Sequence, residues 1–91
     1  MKANRISVSG RVEGVYFRVS AKQKALNLGI CGFVQNESDG TVSVEVEGSD
    51  AAIAEMVSWC KKGPGLARVK AIEVTELPAS NFVPFDIKRS L

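Results

Sequence analysis

From Arg5 to Ser9 polar and apolar residues alternate, and a period of two predicts a half-buried strand with Ile6 and Val8 facing inward. Gly10 breaks the pattern, and residues 10–18 have loop character around Gly10 and Gly14. Over residues 19–28 the period lengthens. Ala21, Ala25 and Leu28 fall on one stripe while Lys22, Gln23, Lys24 and Asn27 lie mostly elsewhere, which predicts a helix stopped by Gly29. Residues 30–36, rich in Ile, Phe and Val, predict a second strand. Asp39-Gly40 then marks a hairpin turn. The cleanest alternation covers residues 41–47: Val42, Val44 and Val46 point one way, Ser43, Glu45 and Glu47 the other.

Gly48 closes that strand, and Ser49 or Asp50 is suited to cap a second helix. Ile53, Met56, Val57 and Cys60 recur at helical spacing, and Trp59 beside them is expected to pack. Lys62-Gly63-Pro64-Gly65 stops the helix. A fourth strand is expected at Arg68–Leu77 with Ile72 and Val74 inside, then a loop over 78–81. A short last strand follows, begun by Pro84, with Phe85 and Ile87 alternating against Asp86 and Lys88. Strand, helix, strand, strand, helix, strand is two interleaved βαβ units. With right-handed crossovers this gives an α+β, ferredoxin-like βαββαβ sandwich: an antiparallel sheet, two helices on one face and a short extra C-terminal strand.

Composition narrows the function. Ninety-one residues predict a single domain over 1–91, and 45% hydrophobic with 24% charged residues is ordinary for a globular protein. No run approaches the ~20 apolar residues that span a bilayer, and no apolar signal region follows Met1. A cytoplasmic monomer is the expectation. The net charge is +2 with both signs dispersed; Lys61-Lys62 and Lys88-Arg89 are pairs, not a nucleic-acid patch. Cys31 and Cys60 form no CxxC and read as free thiols. There is no histidine, which removes a Ser-His-Asp triad, a Cys-His pair and a phosphohistidine in one step; no metal or cofactor is expected.

The loop Gly10-Arg11-Val12-Glu13-Gly14-Val15-Tyr16-Phe17-Arg18 leads from a strand into a helix N-terminus, where backbone N–H groups lack partners and the dipole favours an anion. Gly10 and Gly14 let the chain curl so that N–H groups converge. Arg18 offers a planar guanidinium that pairs with two phosphate oxygens at once. From these residues alone, a phosphate site and a tight connection carrying a surface arginine fit equally well.

The run resembles the acylphosphatase signature G-x-V-Q-G-V-x-F-R. A second signature of that family is similar to Gly32-Phe33-Val34-Gln35-Asn36 followed by Gly40-Thr41-Val42. The resemblance extends over essentially the whole chain, through Leu28-Gly29, Trp59, Gly63-Pro64, Ala67-Arg68-Val69 and Phe85-Asp86-Ile87. It implies the same fold and metal-independent hydrolysis of small-molecule acyl phosphates to carboxylate and inorganic phosphate. Arg18 then matches the family's phosphate-binding arginine, and Asn36 the residue that positions the attacking water. Glu13, Gly14, Val15, Tyr16, Phe17 and Arg18 match the phosphate cradle.

Several positions qualify the match. Glu13 replaces the usual glutamine, and its carboxylate is expected to turn to solvent. Tyr16, at a variable motif position, is a candidate to cover the pocket mouth and is expected to pack rather than react. Glu37 stands where many relatives have threonine, leaving Thr41 as possible support for Asn36 or as a plain strand start. Arg11 is expected to face solvent, and Asp39 to serve the turn. The rival class is a binding module. RNA-recognition sheets need exposed aromatics on central strands. Here Arg5, Ser7, Ser9, Ser43, Glu45 and Glu47 face outward, with Phe33 the one aromatic candidate. A non-catalytic anion binder stays open.

Overall fold

A computed structural model of the chain describes residues 2–14, 16–79 and 83–88. Seven elements follow in order: β1 (Lys2–Arg11), α1 (Phe17–Asn27), β2 (Cys31–Asn36), β3 (Val42–Gly48), α2 (Asp50–Lys62), β4 (Arg68–Leu77) and β5 (Asp86–Ile87). Val15, residues 80 and 81 of the expected loop, and Arg89 of the terminal basic pair lie outside the described residues.

The sheet order is β4-β1-β3-β2-β5. The four longer strands pair antiparallel, as the hydrophobic pattern requires. The short C-terminal strand joins β2 in parallel, so the complete sheet is mixed rather than purely antiparallel. Valines 42, 44 and 46 on β3 meet Val8, Ile6 and Asn4 on β1 in register. The valines, Val8 and Ile6 join Val34, Phe17, Ala21, Ala25, Ile53, Met56 and Cys60 in the core between sheet and helices. The Phe17 and Trp59 rings, 5.3 Å apart and tilted by 57°, join the two helices.

Three local expectations are corrected. Helix α1 begins at Phe17, not two residues later, because that ring is 1% exposed and anchors the first turn in the core. Ser43 and Glu47 point away from the valine face of β3 as expected, yet both are buried. Their strand is central, and side chains of flanking strands cover them. Val74 shares the face of its register partner Ile6 but is 45% exposed, because β4 is an edge strand. Ile72 is half-buried against the core. Within the described residues, no helix is long and apolar enough to cross a membrane.

Candidate active site

Strands β1 and β2 both run antiparallel to β3, which lies between them. They are therefore parallel to one another, and their C-terminal ends emerge at the same end of the sheet. The loop after β1 and the last residue of β2 meet there. A cleft of about 710 Å3 opens at that end, lined by Val12, Gly14, Tyr16, Phe17, Arg18, Val19, Asn36 and Ile87.

The loop's shape follows from its residues. Gly10 has φ 124° at an irregularity in the β1–β4 pairing, and a Cβ there would overlap the carbonyl oxygen of Arg68. Gly14 takes φ 73°. Tyr16, at the N-cap of α1, takes φ 61° and offers no side-chain cap. The first helical hydrogen bond runs from the Ser20 N–H to the Tyr16 carbonyl at 3.0 Å. The N–H groups of Phe17, Arg18 and Val19 thus have no acceptor within the helix. No acidic residue stands in this first turn. Helix α2 differs: the Ser49 side chain accepts from the Ala52 N–H at 3.2 Å, and Asp50 lies in its first turn. One helix start satisfies itself, whereas the other is left open at the cleft.

Arg18 is half-buried beside those N–H groups. The ion pairs among the described residues join Arg5 to Glu45, Lys22 to Asp86 and Lys24 to Glu55, so none neutralises Arg18. Asn36 continues the inward-facing series Gly32, Val34 on β2, one step past the core. Its Oδ1 is buried and finds no hydrogen-bond donor among the described residues. Asn4 Oδ1 shares that condition, but its register partner Val46 pairs with Gly32, at the opposite end of β2 from Asn36. A buried acceptor without a donor costs about 1–3 kcal/mol. At the cleft, a ligand or water can supply the missing donor.

Of the residues read as a phosphate cradle, Gly14, Tyr16, Phe17 and Arg18 line the cleft. Glu13 is exposed and stands outside the lining, as its charge requires, while Val15 lies outside the described residues. Tyr16 stands at the cleft, as its place in the motif suggested, but at 77% exposed it is not packed. Thr41 does not support Asn36. Its N–H and hydroxyl both donate to Asp39 Oδ1, at 3.0 and 2.7 Å, and tie down the hairpin turn. Those bonds hold the Asp39 carboxyl below its usual range. Arg11 is exposed as expected. Val19 and Ile87 complete the cleft, and neither was singled out for it from sequence. Their only sequence signal is position, one residue past Arg18 and on the last strand. Among the described residues, no three His, Cys, Asp or Glu side chains gather as a metal-binding group.

The fold and the open helix start define a small α+β sandwich with unpaired helical N–H groups facing a cleft at one end of its sheet. Comparison with known proteins makes the class specific. A family model described as acylphosphatase matches residues 4–87. The chain is 49% identical over 79 residues to an acylphosphatase of Rubrobacter xylanophilus, covering 87% of this chain and 72% of that one. It is 39% identical to an acylphosphatase of Methylococcus capsulatus across 100% of both. The crystal structure of acylphosphatase from Bacillus subtilis matches with a TM-score of 0.93 and 35% identity, over 97% of this chain and 99% of that one. The chain belongs to the acylphosphatase family.

Proposed function

We propose that this chain hydrolyses acyl phosphates in the cleft between the 10–18 loop and Asn36, with Arg18 and the loop N–H groups holding the phosphate and Asn36 holding the water. The hydrolase activity follows from family membership. The observation that carries the residue roles is the buried, donorless Asn36 Oδ1 in the same cleft as an unpaired Arg18.

The chemistry asks little of the protein. The oxygen of water attacks phosphorus, the bond from phosphorus to the acyl oxygen breaks, and the carboxylate leaves without needing a proton. Catalysis is then positioning plus stabilisation of charge on the equatorial oxygens. Arg18 supplies a fixed cation and two donors, and the open turn of α1 supplies N–H groups. Each hydrogen bond to a charged oxygen contributes about 1.5–3 kcal/mol. Asn36 Oδ1 accepts from the water and orients it. A neutral amide cannot keep the proton, so a phosphate oxygen of the substrate takes it. Glu13 contributes through its N–H while its carboxylate stays in solvent.

The same reading makes a small-molecule acyl phosphate the partner, without metal, nucleic acid or membrane. The chain then acts as one domain, supported by the single core cluster that both helices and the sheet share, and works as a cytoplasmic monomer. Purified protein should turn over acetyl phosphate equally well with and without a chelator. Arg18→Ala should lower kcat/KM by more than ~10³, because it binds ground and transition state alike, and Asn36→Ala should lower kcat by ~10²–10³. Ordinary turnover in both variants would sink the assignment. Phosphate binding without turnover in the unmodified protein would favour a non-catalytic anion binder.

A further inference from the structure

The phosphate cleft is not the whole recognition surface. A second depression of about 280 Å3 is lined by Gly32, Phe33, Val83, Asp86, Ile87 and Lys88, and Ile87 lines both. Backbone pairing fixes its walls. The Gly32 N–H donates to the Val83 carbonyl at 3.1 Å, and the Lys88 N–H donates to the Val34 carbonyl at 2.8 Å. Phe33 and Asp86 face each other in the β2–β5 register.

The charges at its rim are already engaged. The Lys88 ammonium stands 4.6 Å from the centroid of the Phe33 ring. Asp86 accepts from Lys22 at 3.0 Å and from the Ile87 N–H at 2.8 Å. What the groove offers a ligand is chiefly apolar, including Val83, which is 71% exposed. Phe33 lies three residues from Asn36 along β2, about 10 Å at the rise of a strand, and that odd spacing turns it to the opposite face, so a ligand that reaches both passes round the β5 edge at Ile87.

We propose that this groove is the acyl subsite: the substrate's chain leaves the phosphate, passes Ile87 and lies against Phe33 and Val83, so that medium-length aliphatic acyl phosphates are preferred. This rests on the phosphate cleft being the site of hydrolysis. Contacts to the chain are made equally before and during reaction, so they act on KM and leave kcat alone.

The experiment compares acetyl, butyryl, octanoyl and monosuccinyl phosphate on the unmodified protein, Val83→Asp and Phe33→Ala. From acetyl to octanoyl phosphate, kcat/KM should rise by about tenfold or more through KM, since each methylene that leaves water contributes favourably and the open groove buries the chain only in part. Val83→Asp places a carboxylate in the groove at an exposed position. It should abolish that rise with acetyl phosphate kinetics unchanged, and Phe33→Ala should reduce the rise. A flat series on an active enzyme, or a rise untouched by both variants, would overturn the subsite. So would preference for monosuccinyl over butyryl phosphate, which would make Lys88 an anion receptor instead. No turnover of any substrate would overturn the hydrolytic reading itself, and the subsite with it.

Discussion

Tyr16 is the one non-glycine with positive φ among the described residues. A left-handed conformation costs an L-residue roughly 1–2 kcal/mol, and it concentrates where structure holds a site in shape. Removing the side chain relieves that cost, while glycine adds about 0.5–1 kcal/mol of backbone entropy. The two nearly cancel, so Tyr16→Gly should leave Tm unchanged or slightly raised. Gln23→Gly, in the middle of α1, should lose about 1 kcal/mol. Equal losses at both positions, measured by thermal melts, would contradict the strain argument. Asp39 gives a pH signature. Its Thr41 bonds depress its folded pKa, so their stabilisation is present above the unfolded value and is lost as pH falls through the folded one. Asp39→Asn should therefore lower Tm near neutrality, with the gap to the unmodified protein closing below about pH 4. Cys60 is a different case: burial pushes its thiol up to about 12, so in the native state a thiol reagent at pH 8 should modify the half-buried Cys31 and spare Cys60.

At the scale of elements, the two helix starts have been given opposite tasks. Ser49 caps α2 with its own side chain, and Ser49→Ala should cost about 1 kcal/mol, or roughly 4–8 °C in Tm, without touching turnover. The first turn of α1 is held from below, by Phe17 in the core against Trp59, and left open above. Phe17→Ala should cost about 3–5 kcal/mol and also weaken phosphate binding, because the N–H groups lose their anchor. Gly10 makes the matching demand on β1. Any Cβ there strikes the Arg68 carbonyl at positive φ, so the strand bends into the loop only with glycine at that point.

Over the whole molecule, one buried cluster takes residues from β1, β2, β3 and both helices. Denaturant unfolding should then be a single transition, with Trp59 fluorescence and far-UV circular dichroism coinciding. Inorganic phosphate, by occupying only the folded cleft, should raise stability by about 2.7 kcal/mol at a hundredfold excess over its Kd, and Arg18→Ala should erase that gain. Separated transitions would show that sheet and helices do not unfold as one unit.

The order of elements was legible residue by residue. Strand alternation, the Ser49 cap, the Asp39-Gly40 turn and the stop at Gly63 are signals carried by near neighbours, where local sterics and burial period decide the outcome. Arg18 and Asn36 were visible as motif members. What their order along the chain could not supply was their meeting, which depends on β3 lying between β1 and β2 and carrying both C-terminal ends to one side. Burial was the least legible property. Val74 and Val46 alternate alike, yet one is on an edge strand and the other in the centre. The sequence by itself therefore determined the elements, the polar residues available for phosphate and the absence of histidine. Tertiary structure alone decided that Asn36 Oδ1 would be buried without a donor, that Thr41 would serve the turn, and that Ile87 would join two depressions. Each of those depends on partners distant along the chain, which only the assembled sheet brings together.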